Sequence, residues 1–196
     1  MMPTASSVSQ PSPLHRALHA IEVLESRLED QRRSTTEAIA ITGIGCRFPG
    51  GSNSPAEYWD LLSQGRDAVT VVPPQRWDAD AFLATHPDTP GRMLTRHGGF
   101  LDDIESFDPA FFGISPREAA RMDPQHRLLL EVAWESLDVA GQTPDRRAGR
   151  NTGVFVGITG AEYGSLQLAA EGTHSLDTYH LTGNALNTAA GRLAFV

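Results

Sequence analysis

The sequence predicts an α/β domain preceded by a separate amphipathic helix. Three observations carry that reading. Short apolar runs at 38–45, 68–72 and 153–157 alternate with segments that bear helix-start signals. Strands alternating with helices favour a layered fold with largely parallel pairing. An apolar stripe of heptad spacing, at 14–28, stands apart from these behind the polar triplet Ser34-Thr35-Thr36.

Bulk composition supports a folded chain and removes several function classes. Hydrophobic residues make up 40% of the 196 residues, and 18 Gly bring the apolar share close to the globular norm of ~45–50%. That is enough for one domain of ~100–150 residues with an appendage. Sixteen basic residues against 24 acidic ones leave a net charge of −8. A nucleic-acid partner needs a basic face, so none is expected. The single cysteine, Cys46, excludes an intrachain disulfide and a cysteine-based zinc cluster. No apolar run reaches the ~18 residues that span a bilayer, and no basic n-region with an apolar h-region opens the chain. A cytoplasmic chain with no membrane partner is expected.

Residues 1–13 hold four Ser and three Pro and almost no bulky apolar side chains, so they read as a disordered tail. Ser12-Pro13 is a helix start, with Ser as N-cap and Pro where a missing N–H costs nothing. The helix proper is assigned to 14–33. Leu14, Ile21 and Leu28 fall seven apart, with Ala17 and Leu24 between them. They form an a/d seam flanked by Arg16, Glu22, Glu25, Arg27 and Glu29. A lone helix with so narrow a stripe needs a partner, either its own domain or another helix. Residues 34–36 read as a linker, and the globular part starts at Glu37.

The run AIAITGIG (38–45) reads as a buried strand. Ser54-Pro55-Ala56-Glu57 is a capping box that opens a helix through Leu62, ending near Gly65. Residues 68–72 form a second strand, cut by Pro73-Pro74. From Pro73 to Asp108 there is no sustained periodicity, which indicates an ordered loop. Ser115-Pro116-Arg117-Glu118 is a second capping box. Asp123-Pro124 restarts the chain as a longer helix to Ala140, with Gly141 beyond its end. Leu129, Val132, Ala133, Ser136, Leu137 and Ala140 line one face of it. GVFVG (153–157) is a third buried strand, followed by a Gly-broken region and a helix over 184–195.

Complete catalytic constellations are absent from these residues. Gly43-Ile44-Gly45-Cys46-Arg47-Phe48 begins like a dinucleotide fingerprint, but Phe48 stands where the third glycine is needed, so no nucleotide cofactor is expected. Arg47 beside Cys46 favours a thiolate, yet no nucleophile elbow surrounds the thiol, and it reads as a small core residue. His15 and His19 have zinc-ligand spacing without the HExxH glutamate, so no metal site is expected. Arg92, Arg96 and Arg117 read as salt-bridge partners of nearby carboxylates such as Asp102, Asp103 and Glu118 rather than as a phosphate site. The apolar ending RLAFV (192–196) gives the chain the look of a truncated domain.

EAIAITGIGCRFPGG (37–51), PAEYWDLLSQGRDAVTVVPPQRWD (55–78) and GGFLDDIESFDPAFFGISPREAARMDPQHRLLLEVAWESLDVAG (98–141) carry a strong resemblance. With GVFVG (153–157) and TGNALNTAAGRLAFV (182–196), they resemble the N-terminal part of a ketosynthase (beta-ketoacyl synthase) domain of a modular type I polyketide synthase. The resemblance extends from Glu37 to Val196. One departure is His126, where Gln is commoner.

That resemblance implies a thiolase-like fold, of which this would be the N-terminal half with layered αβα packing, and a homodimer. It implies decarboxylative Claisen condensation of an acyl thioester with a malonyl-type unit on the phosphopantetheine arm of an acyl carrier protein. No cofactor would be bound by this segment itself. The nucleophilic Cys and two His are expected beyond Val196, which would leave the fragment inactive alone, and Cys46 matches a non-catalytic position. Tyr179, His180, Thr182 and Asn184 would line the acyl channel at the dimer interface. The competing reading makes that stretch a helix cap with Thr182 as N-cap. The seam Leu14, Ala17, Ile21, Leu24 and Leu28 would be a docking and dimerisation coiled coil engaging an upstream synthase subunit. A reading of another class makes the chain an interaction module that orders synthase subunits.

Overall fold

The computed structural model describes residues 12–142 and 151–195. The expected loose tail lies outside them, apart from Ser12 and Pro13. The chain divides into two units, Met1–Ile41 and Thr42–Val196.

The first unit is dominated by α1 (Pro13–Thr36). The Ser12 hydroxyl accepts the His15 N–H at 3.3 Å, and Pro13 occupies the first helical position. The triplet Ser34–Thr36 is not a linker: it is the last turn of α1. The Ser34 and Thr35 hydroxyls each donate to the Gln31 carbonyl at 2.9 Å, and Thr36 donates to Arg32 at 3.0 Å. These hydroxyls bond back to carbonyls one turn earlier, the usual local use of Ser and Thr near a helix end, while the Arg33 carbonyl is taken by the Glu37 N–H at 2.8 Å. All five seam residues are exposed, as is the rest of α1. The buried strand expected at 38–45 is not formed. No ladder pairs it among the described residues, and Ile39 and Ile41 are 94% and 81% exposed. Apolar periodicity reports a tendency to be covered; a strand also needs a partner edge, which the run itself does not specify.

In the second unit, α2 (Pro55–Ser63) follows its capping box as expected. The Glu57 N–H donates to Ser54 Oγ, and the Glu57 carboxylate accepts from the Asn53 N–H at 2.9 Å. Strands β1 (Val69–Val71) and β2 (His97–Gly99) pair antiparallel, Val69 opposite Gly99 and Val71 opposite His97, with α3 (Ala79–Phe82) between them in sequence. This corrects the expectation of parallel pairing. Among the described residues the parallel geometry is limited to one isolated bridge, Leu83 to Met93. A three-residue strand cut by Pro73-Pro74 is paired locally by the chain that returns beside it.

Four short helices and one long one build the core. They are α4 (Pro116–Arg121), α5 (Pro124–Val139), α6 (Glu162–Glu171), α7 (Thr178–Asn184) and α8 (Leu186–Phe195), with a 3₁₀ turn at Thr173–Ser175 before α7. Ser115 and Asp123 cap α4 and α5 by accepting the Glu118 and Gln125 N–H groups. α4 packs on α7, and α5 on α8. Met122, His126, Leu130 and Ala189 are buried there. The helix expected over 184–195 begins at Leu186; Asn184 instead ends α7. The Gly-broken region holds α6, which the pattern did not announce. The strand expected at 153–157 is not laddered, and Phe155 is 96% exposed.

The predicted α5 face is used. Gly43 and Gly45 run against it so closely that a Cβ on Gly43 would enter the Ser136 carbonyl oxygen, and one on Gly45 would lie 2.5 Å from the Val132 carbonyl oxygen. Cys46, at the end of this run, is buried. Arg47 then forks onto Glu135 of α5 at 2.7 and 2.5 Å, a bidentate geometry that Lys cannot reproduce. No described helix is long and apolar enough to cross a membrane.

Candidate functional site

Tyr179, His180, Thr182 and Asn184 share one short helix, α7. Its N-cap is Asp177, whose carboxylate accepts the His180 N–H at 2.9 Å. Thr182 is therefore mid-helix and not the cap; its hydroxyl donates to the Thr178 carbonyl at 3.2 Å. Asp177 also meets Arg117 at 3.1 Å. Desolvation raises the Asp177 pKa, but the His180 amide and Arg117 outweigh it and hold the carboxyl below its usual range. The same Arg117 guanidinium stands 5.8 Å from the Tyr179 ring centroid.

The end of α7 is held residue by residue. The Thr182 carbonyl accepts the Thr188 hydroxyl at 2.7 Å and an Arg192 N–H at 3.3 Å. The Gly183 carbonyl accepts the Asp123 N–H at 2.9 Å. Asn184 donates from its carboxamide to the carbonyls of Arg121 and His180 and to Gln167 Oε1. Gln167 in turn donates to the Ala120 carbonyl at 3.2 Å. Gly183 sits where α4 ends, with the Arg121 carbonyl 2.5 Å from any Cβ it might carry.

Two ion pairs brace this junction. Arg121 meets Glu171 at 2.7 Å, and Arg192 meets Glu118 at 2.6 Å, the latter pair only 15% and 22% exposed. Beside it lies a cavity of about 410 Å³, bordered by Phe112, Ile114, Thr182, Thr188 and Phe195 together with the pair itself. Its walls mix aromatic and aliphatic groups with a few polar ones, the usual make-up of a site for a largely apolar chain. Of the four residues singled out in the sequence, Thr182 borders this space. His180 is buried with its Nδ1 unpartnered, and Asn184 is committed to backbone carbonyls. Tyr179 lies beneath Arg117.

A second cavity, about 610 Å³, lies beside the Arg47–Glu135 pair and is bordered by Asp102, Asp103, Glu131 and Asp138. Burial pushes the Glu131 carboxyl up, Glu135 and Asp103 add to that, and Arg47 and Arg127 oppose it. No group of three metal-ligating side chains is assembled among the described residues.

The remaining candidates resolve simply. Arg96 pairs with Asp80 at 2.6 Å, Arg117 with Asp177, and Arg92 donates to the Ala81 carbonyl. Arg96 and Arg117 form ordinary ion pairs, with carboxylates other than those expected, whereas Arg92 bonds a backbone carbonyl instead of a carboxylate. His15 and His19 are exposed on α1, and His19 approaches Glu22 at 3.8 Å. Glu118 and Arg192 escaped notice as site residues. The available signal was that Arg192 is the one charge in the ten residues LNTAAGRLAF, where a buried charge demands a partner.

The chain is a member of the beta-ketoacyl synthase family, whose N-terminal domain matches residues 36–196. Its fold is the thiolase-like fold of ketosynthases. The oxazolomycin ketosynthase domain of Streptomyces albus superposes with a TM-score of 0.70 at 34% identity, over 79% of this chain and 26% of that one. The ketosynthase from module 6 of the bacillaene synthase of Bacillus subtilis gives 0.65 at 36% identity, over 81% and 24%. In sequence, one of the phenolphthiocerol/phthiocerol polyketide synthase subunits of Mycobacterium tuberculosis is 48% identical over 98% of this chain. Another subunit of that synthase, from the same organism, is 49% identical over 84%. The chain spans 9% and 11% of the length of these two relatives.

Proposed function

We propose that this chain is the N-terminal part of a polyketide synthase ketosynthase. The observation that carries the reading is 48% identity to a polyketide synthase subunit across 98% of the chain. The whole enzyme would take an acyl chain from a thioester onto a cysteine thiolate, expelling the donor thiol. Loss of CO₂ from a malonyl-type unit would leave a carbanion that attacks the acyl-enzyme carbonyl. A C–C bond forms as the C–S bond breaks and the cysteine thiolate is released. The extender would ride on the phosphopantetheine arm of an acyl carrier protein. The nucleophile and two histidines belong, in this reading, to sequence following Val196.

The chain's own contribution is shape. Tyr179, His180, Thr182 and Asn184 would form a wall of the acyl channel in a homodimer. Support comes from the cavity at Thr182, whose walls suit an alkyl chain. α1 would dock on an upstream synthase subunit and pair with its copy, in the cytoplasm; its exposed stripe of Leu14, Ile21, Leu24 and Leu28 supports this. That stripe also favours a second reading, an interaction module that orders subunits.

The test is condensation by the intact protein, read by mass spectrometry of the β-ketoacyl product on acyl carrier protein. Cys46→Ala should retain it, since Cys46 is buried. No product from the wild type, or an acyl mark on Cys46, would overturn the assignment; no product together with concentration-dependent pairing of α1 would favour the interaction module. His180→Trp should slow loading of long acyl thioesters more than short ones, because bulk at a channel wall excludes length before it reaches the chemistry.

A further inference from the structure

We infer that Arg192 is a positioning residue that sets the α7 wall of the 410 Å³ cavity, and through it the preference for acyl-chain length. The inference rests on the channel reading above.

Carbonyls in the last turn of a helix lack an intrahelical partner. In α7, Leu181 is served by the Ala185 N–H, but Thr182 points its carbonyl out of the helix. Two donors from α8 converge on it, the Thr188 hydroxyl and the Arg192 guanidinium. The guanidinium has a second task. Its other terminal nitrogen holds Glu118 of α4 at 2.6 Å. One planar fork thus ties three helices, α4, α7 and α8, at a single point.

Partial burial stiffens the Arg192–Glu118 arm of that tie. The Arg192 side chain is 15% exposed and that of Glu118 22%, so water competes weakly for either group. A half-buried charge that loses its partner is penalised, which keeps the Glu118 arm of the fork engaged. Lysine preserves the charge but presents a single nitrogen, and cannot span Glu118 and the Thr182 carbonyl as the fork does.

Location makes the tie consequential. Glu118, Thr182, Thr188 and Arg192 all border the cavity, together with Phe112, Ile114 and Phe195. Releasing the Thr182 carbonyl frees α7 to shift against α8 and changes the width of the cavity at its polar side. A displacement near ~1 Å is enough to alter how a bound chain is presented. Short acyl groups, which fill less of the space, respond less than long ones.

The experiment uses the intact protein with acetyl and decanoyl thioesters and reads kcat/KM for enzyme acylation. Arg192→Lys should lower the decanoyl-to-acetyl ratio about five- to tenfold. Thr188→Val, which removes one hydroxyl and leaves the Arg192–Glu118 pair, should lower it about two- to threefold. A purely structural role would reduce the folded fraction and depress both substrates alike, leaving the ratio unmoved. An unchanged ratio in Arg192→Lys overturns the inference; if that variant does not fold, an unchanged ratio in Thr188→Val does so. His180→Trp separates the two claims. If it shifts the ratio while Arg192→Lys does not, only the positioning role falls. If neither shifts it, the channel reading falls as well.

Discussion

Two helical glycines should respond in opposite directions to the same substitution. Gly183 and Gly191 lie in α7 and α8, and neither has a positive φ. Helix propensity alone favours Ala over Gly by up to ~1 kcal/mol at either site. At Gly183 an added Cβ would lie 2.5 Å from the Arg121 carbonyl oxygen and 2.9 Å from its carbon. Backbone must give way there by roughly half an ångström, and overpacking of this kind costs about 1–3 kcal/mol. The retreat also stretches the Asp123 N–H bond to the Gly183 carbonyl. Net destabilisation of about 1–2 kcal/mol should lower Tm by ~2–8 °C in a chain of this size. At Gly191 the Cβ meets nothing within 4 Å. There the propensity gain stands unopposed, and Tm should rise by ~1–4 °C. Differential scanning calorimetry of the two variants beside the wild type reads both numbers. Shifts of the same sign, or a Gly183→Ala variant that melts at or above the wild type, would refute the packing argument.

Two further outcomes follow from particular side chains. His126 is 1% exposed with both ring nitrogens unpartnered; burial pushes its pKa down, Asp123 pulls it up, and Arg192 pushes it down again. Its folded pKa lies below the unfolded value of about 6.5, so the unfolded chain takes the proton first and stability is lost as pH falls through that value toward the folded pKa. Urea unfolding should therefore show the wild type losing stability relative to His126→Gln between pH 7.5 and 5.5, and parallel pH profiles would contradict this. On α1, replacing Ile21 and Leu24 by Lys puts charges into the seam and should abolish concentration-dependent pairing in sedimentation; unaltered sedimentation of the double variant would show that the stripe does not mediate pairing.

Helix starts were legible because their cause is local. Ser12, Ser54, Ser115 and Asp123 each cap a helix from within three residues, and each is followed by Pro at the first helical position. The α5 face was legible for a similar reason, since a 3.6-residue period is written in the helix itself. The start of α7 was missed although Asp177 caps it, because its body, TYHLTGN, mixes β-branched, aromatic and glycine residues of poor helix propensity. Its helicity comes from packing on α4 rather than from its own residues. The runs at 38–45 and 153–157 announce burial but not a partner edge, and neither is laddered. For the candidate site, the four α7 residues were visible through resemblance, whereas the Glu118–Arg192 pair joins positions 74 apart and needed the fold to bring them together.

The entry segment has a consequence for anyone recombining such domains. Gly43 and Gly45 fit against α5 only as glycines, and Arg47 closes on Glu135 across 88 positions of sequence. A hybrid whose crossover falls between 48 and 134 draws the two sides of this seam from different parents. Such a crossover is tolerated where both parents keep the glycine pair and the arginine–glutamate fork. It otherwise leaves a steric clash or an unmatched charge at a joint far from the crossover itself. Exchange points before Gly43 or after α5 keep the seam within one parent, and so need no matching there.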